Sequence, residues 1–143
     1  MLDASAGVDI LQRTPEGQAL ASAVRGESDD EPELWTVEHF HVEVAKVIRR
    51  DTLASILDDR EATQLIDALA EWPLVVVSVA PLLVEAWQLR NNLTVHDALY
   101  VVATRRLEDA ALVSSDTKLP NAPGVDVPII TPDQLPRWPV ASQ

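Results

Sequence analysis

Cysteine is absent from this chain of 143 residues, and glycine (4), tyrosine (1) and phenylalanine (1) are scarce. Without cysteine there is neither a disulfide framework nor a thiolate zinc site, which fits a reducing cytoplasm. So few glycines leave no phosphate-cradling loop of the kind nucleotide-binding enzymes need, and no nucleophile elbow supports a Ser/His/Asp triad. Positive charge is also short: 11 Lys and Arg face 23 Asp and Glu, for a net charge of −12. A broad basic surface for nucleic acid is thereby excluded. Any polyanionic substrate must be attracted locally, by a few cations or a bound metal ion. No apolar run approaches the ~20 residues of a membrane helix. The start, MLDASAGVDILQR, has no basic leader and already contains Asp3, so no signal peptide is expected.

Hydrophobic content of 47% and charged content of 24% suit one soluble globular domain. Residues 1–3 read as the end of a very short strand. Helices are expected over 4–12 and 15–25, the second opened by Thr14 and Pro15 and closed by Gly26. Residues 27–33 (ESDDEPE) form an acidic loop, and 34–37 a strand. Phe40, Val44 and Val47 then fall at helical spacing, and two further helical pieces are expected over 52–72. Residues 74–79 (LVVVSV) read as a strand buried on both faces, and 81–90 as a helix. In the stretch 93–119, Thr94 caps a helix that is apolar on nearly every side (Ala98 to Ala103) and hence buried. Short strands at 110–113 and 127–130 complete the pattern. Six prolines between Pro120 and Pro139 make the end of the chain irregular. The expected division is a domain over 1–132 and a proline-rich tail over 133–143.

Alternating strands and helices predict a single α/β layer structure around a mostly parallel sheet, whose ligands lie at the carboxyl ends of the strands. That rule gives four acids one address. Asp3 ends the first strand, Glu43 lies in the opening turns of the helix after the second, Asp97 opens the buried helix and Asp116 follows a later strand. Taken singly, Asp97 is also an ordinary capping carboxylate and Asp116 an ordinary turn former. Gathered together, like charges raise one another's pKa unless a cation cancels them. A hard divalent ion does so with oxygen ligands, and can acidify a water and polarise a phosphoryl oxygen.

The segments DASA at Asp3, VEVAKVIRR around Glu43, LTVHDALYVVA around Asp97 and VSSDTKL around Asp116 resemble the four acidic motifs of PIN-domain ribonucleases, and most of all the VapC toxins of toxin–antitoxin pairs. The likeness spans essentially the whole chain in order and spacing, and the third motif is the most specific. It implies a PIN-like α/β/α sandwich and a metal-dependent endoribonuclease that leaves 5′-phosphate and 3′-hydroxyl ends. Asp3, Glu43, Asp97 and Asp116 would be Mg²⁺ or Mn²⁺ ligands, direct or through water. Ser5 and Ser114 match the hydroxyl residues beside the first and fourth acids. Two departures stand out: only two residues precede Asp3, and Lys118 lies where some relatives carry a further acid. Lys46, Arg50 and Lys118 are candidate RNA contacts.

The resemblance also implies a cognate antitoxin of the VapB type. Apolar residues Ile10, Leu11, Leu20 and Val24, with Leu53, Ile56, Leu57 and Leu65, suit a groove for a partner helix. The alternative is that they only close the core or form a homodimer. The rival reading is a non-catalytic PIN-like module that binds RNA or protein. A receiver-type signalling domain lacks its phosphorylatable Asp, since LVVVSVAP supplies none. His39, His41 and His96 match no common zinc spacing.

Overall fold

The computed structural model describes residues 1–26 and 32–135. Most of the expected acidic loop (27–31), and the expected tail from 136 onward, lie outside the described residues.

Asp3 caps α1 (Ala4–Leu11), and Thr14 caps α2 (Pro15–Arg25) by accepting from the Gly17 amide at 3.0 Å. The two helices touch backbone to backbone. A Cβ on Gly17 would lie 2.0 Å from the Asp9 carbonyl oxygen, so only glycine fits there. After β1 (Trp35–Val37) comes α3 (Phe40–Leu53), which approaches α1 at Gly7, where the Phe40 ring occupies the space of a side chain. The two helical pieces expected over 52–72 are one. α3 runs on to Leu53, and α4 (Asp59–Glu71) begins after Asp58, which forms a reciprocal capping box with Glu61 at 2.8 and 3.0 Å.

β2 (Val75–Val77) pairs only with β1 among the described residues, and Val76 is 46% exposed. The strand expected to be buried on both faces is therefore an edge strand. A 3-10 turn and the short α5 (Leu83–Trp87) follow, then α6 (Val95–Arg105), β3 (Leu112–Val113) and β4 (Ile129–Ile130).

β1–β2 and β3–β4 are separate parallel pairs, and the N-terminal segment joins them. Leu2 donates to Trp35 at 2.7 Å, its carbonyl accepts the buried Thr36 hydroxyl at 2.9 Å, and it bridges in parallel to Val113. Asp3 donates to the Val113 carbonyl, and Val113 to the Met1 carbonyl. The order across the molecule is β2, β1, Leu2, β3, β4, with β1–β2, Leu2–β3 and β3–β4 each paired in parallel.

Helices α1 to α4 pack on one another, while α5 pairs with α6, which lies against β1 and β3. This is an α/β/α sandwich. α6 is buried continuously from Ala98 to Thr104, as a helix with no polar face must be. Packing continues to Leu135, which lies against the core. No described helix is long and apolar enough to cross a membrane.

Candidate active site at the carboxyl edge of the sheet

Asp3 leaves the central segment of the sheet where α1 begins, so one carboxylate serves two neighbours. Its Oδ1 accepts the Ala6 amide at 2.9 Å and the Ser5 hydroxyl at 2.7 Å. Only 5% of the residue is exposed. Burial pushes its pKa up to about 6, against the opposing pull of hydrogen bonds from Ala6, Ser114 and Ser5. The charge of Asp97 adds a smaller upward push. The sequence argument attributed such a rise to crowded like charges; at Asp3, desolvation is the larger cause.

Asp97 lies in the first turn of α6. Its amide donates to Thr94 Oγ1 at 3.1 Å, and its Oδ2 accepts from that hydroxyl at 2.8 Å. Asp116 is exposed in the turn after β3, where its Oδ1 accepts the Lys118 amide at 2.9 Å. Ser114 ties this turn to Asp3. The residue is fully buried, its Oγ accepts the Asp116 amide at 3.1 Å, and it lies 3.3 Å from the Ser5 hydroxyl. Ser5 in turn accepts the Ser115 amide at 2.9 Å. The two serines thus fix the first and fourth acids relative to each other.

Glu43 has different company. Tyr100 donates its hydroxyl to Oε2 at 2.9 Å, His96 Nδ1 lies 3.1 Å from Oε1, and His39 Nε2 lies 3.5 Å from Oε2. The buried His39 Nε2 has no hydrogen-bond partner, and burial lowers the His39 pKa. Burial, followed by the Glu43 charge, raises the Tyr100 pKa, so the phenol stays a donor. Among the described residues, no three His, Asp or Glu side chains already form a metal-holding group. His41 packs against Phe40 instead of joining the other histidines.

The chain is similar to three ribonucleases of Mycobacterium tuberculosis. It is 32% identical to ribonuclease VapC12 over 124 residues, which cover 87% of this chain and 92% of that protein. It is 32% identical to ribonuclease VapC1 over 130 residues (87% and 91%) and to ribonuclease VapC3 over 124 residues (85% of each). The chain belongs to the VapC family. No protein-family model matches the sequence.

In this VapC chain an open groove of ≈ 1120 Å³ runs between α1 and α3 and past the site. Ser5, Asp9 and Ser115 line one part of it, and His39, Glu43 and His96 another. Along α3 it is bordered by the exposed apolar side chains Val42 and Leu53 and by the cations Lys46, Arg49 and Arg50. Arg50 also pairs with Asp51 at 2.8 Å. Lys118 is exposed beside Asp116. Of the apolar residues expected to face a partner, Leu53 and Ile56 are about 70% exposed. Leu20 is wholly buried in the core and cannot contribute.

Sequence reasoning missed three of these neighbours. Tyr100 was visible only as part of a motif, although its place one helical turn after His96 gave a signal. His39 lies four residues before Glu43, a spacing at which helix side chains meet. Asp9 accepts the Ser115 hydroxyl, and no pattern in the sequence announces that contact.

The donor chemistry of Asp3, Asp97 and Asp116 suits a hard divalent cation. Asp3 in particular is a buried carboxylate with a raised pKa, the kind of charge a cation relieves. Mg²⁺ keeps most of its waters and uses one or two carboxylates, so it does not require a closed cage of protein ligands.

Proposed function

We propose that this chain is a metal-dependent endoribonuclease toxin that hydrolyses RNA phosphodiesters and leaves 5′-phosphate and 3′-hydroxyl ends. The VapC relatives carry the name ribonuclease. The observation that carries the reading for this chain is the buried Asp3, held by Ser5 and Ala6 and within electrostatic reach of Asp97. Such a charge costs stability, and a fold retains it where it has a ligand to hold.

Asp3 and Asp97 would hold Mg²⁺ or Mn²⁺ directly, and Asp116 and Glu43 through water. Bound there, the cation would supply positive charge to the phosphodiester and acidify a water for attack. Ser5 and Ser114 would keep Asp3 and the Asp116 turn in register. Lys46 and Arg50 would draw the RNA backbone along α3, and Lys118 would approach phosphate beside Asp116. Water adds at phosphorus and the bond to O3′ breaks, so the phosphate stays on the 5′ side of the downstream fragment. The carboxylates repel phosphate by themselves, so the chemistry needs the cation.

A ribonuclease in its own cytoplasm requires restraint, which a VapB-like antitoxin would supply. The exposed Leu53 and Ile56 at the end of α3 offer an apolar seat for a partner helix. An arginine on that partner could form a bidentate pair with the carboxylates and compete with the metal.

The test is cleavage of RNA with and without Mg²⁺ or Mn²⁺, with the product ends identified. Metal-dependent cleavage with 5′-phosphate ends is expected, as is its suppression when the neighbouring open reading frame is co-expressed. Binding of RNA without cleavage in any divalent metal would favour the non-catalytic module.

A further inference from the structure

The aromatic rings around Glu43 form a column. Tyr100, buried in α6, meets the His39 ring edge-on, with centroids 5.0 Å apart and planes at 70°. His39 stacks on His96, with centroids 4.7 Å apart and planes at 25°. The His39 side chain is 16% exposed and that of His96 61%. One face of the His96 ring is covered by His39, and its Nδ1 edge is turned to Glu43 at 3.1 Å. The exposed part is therefore the other face and the remaining edge. His96 lines the groove that also holds Glu43 and the cations Lys46, Arg49 and Arg50. His96 is next in sequence to Asp97, so the column ends beside the proposed site of hydrolysis.

The buried His39 Nε2 has no hydrogen-bond partner. An orphaned buried nitrogen costs stability. The ring is instead clamped between Tyr100 and His96, where it serves as a flat support. Glu43 pins His96 from the side, so the outer ring is oriented before any ligand arrives. A pre-oriented planar face beside a cationic track is how proteins hold unpaired bases of single-stranded RNA: the base stacks, and the cations follow the backbone.

We propose that the free face of His96 stacks a nucleobase of single-stranded RNA next to the phosphodiester to be cut, making His96 a determinant of substrate position. This rests on the ribonuclease reading above. A flat ring accepts any base by stacking, so the contact fixes register and a preference for unpaired RNA more than sequence.

Two variants separate the ring from its hydrogen bond. His96→Phe keeps a ring on His39 and loses the donor to Glu43; His96→Asn keeps an amide donor and loses the ring. Binding is read from the fluorescence anisotropy of a short labelled single-stranded RNA pool, with Ca²⁺ in place of Mg²⁺ to slow cleavage. Cleavage of the same pool in Mg²⁺ or Mn²⁺ gives KM and kcat. His96→Asn is expected to weaken binding and raise KM on the order of tenfold, the scale of one lost base stack, with little change in kcat. His96→Phe, which keeps the stacking face, should keep RNA affinity and KM near wild type, whatever the lost contact to Glu43 does to kcat. Double-stranded RNA should bind more weakly than the pool, and should not distinguish the variants. Equal losses in both variants, or none in His96→Asn, would overturn the stack while the nuclease reading stands. A wild-type protein that neither binds nor cleaves RNA in any divalent metal would overturn both. Because His96 is largely exposed, unchanged melting of both variants is expected, and a shared drop in melting temperature would count against a substrate role.

Discussion

Replacing Asp3 with asparagine keeps the shape of the side chain and its Oδ1, the acceptor for the Ala6 amide and the Ser5 hydroxyl, and removes only the ionisable group. Asparagine is as good an N-cap as aspartate, so α1 keeps its start. The new amide has the Ser114 hydroxyl close by as a partner. On folding, burial moves this carboxyl from its ordinary 3.8 to about 6. Each tenfold change in proton affinity is about 1.4 kcal/mol, so the ionised carboxylate costs the fold about 3 kcal/mol. The sign follows from proton counting. Below the unfolded value both states are protonated and Asp3 contributes no difference. Between that value and about 6 the folded protein binds more protons than the unfolded chain, so stability falls as pH rises. Above that window the loss is complete. Asp3→Asn should therefore match wild type at the acid end and gain up to about 3 kcal/mol at neutral pH, roughly 10 °C in melting temperature for a chain of this size. Urea melts at a series of pH values measure the gap, and RNA cleavage should be lost throughout. A gap that does not change with pH, or an Asp3→Asn protein less stable than wild type at neutral pH, would refute the reasoning.

Millimolar Mg²⁺ should raise the melting temperature of wild type by binding only the folded form, and should leave Asp3→Asn unmoved in differential scanning fluorimetry. Asp97→Asn and Asp116→Asn should lower the cleavage rate at least 100-fold with circular dichroism unchanged, on the scale of losing one preorganised charge at a reacting centre (~3 kcal/mol). Gly17→Ala forces a Cβ into the Asp9 backbone at 2.0 Å and should cost about 3 kcal/mol or more in urea unfolding. Among the described residues three cations, Lys46, Arg49 and Arg50, line the groove, so the log–log dependence of RNA affinity on salt should have a slope near −2, from about −0.7 for each phosphate neutralised. A slope of roughly −5 would mean that the RNA runs elsewhere.

The helices were more legible than the strands, for a physical reason. A helix carries its own start signals: Thr14 and Thr94, both read from the sequence, each accept an amide three residues on, as does Asp58, which the sequence reading passed over. The buried α6 was plain from its lack of a polar face. Strands two or three residues long carry no such signal, because their hydrogen bonds go to segments far away in sequence. LVVVSV has the composition of a central strand yet lies at an edge. The central place goes to Met1–Asp3, too short for any periodicity, whose position is set by bonds to Trp35 and Val113.

The candidate site divides along the same line. Asp3, Asp97 and Asp116 could be read because each ends or begins an element, and element ends at the carboxyl edge of a parallel sheet converge. Their mutual arrangement could not, since it depends on Ser5 and Ser114, small hydroxyls with many ordinary roles. Glu43 shows the limit most clearly. The resemblance implies it as the second acid, but its surroundings depend on His39 at the start of α3 and on His96 and Tyr100 from α6. Those contacts occupy both of its oxygens. A metal ligand needs a free lone pair, and a carboxylate already held by a phenol and an imidazole can reach an ion more easily through a water than directly. The same contacts hold two imidazoles face to face at the groove. The acid that looked interchangeable with the other three is thus the one whose neighbours differ, and under the proposed reading that difference would give the α3–α6 side the substrate to hold and the Asp3 side the charge.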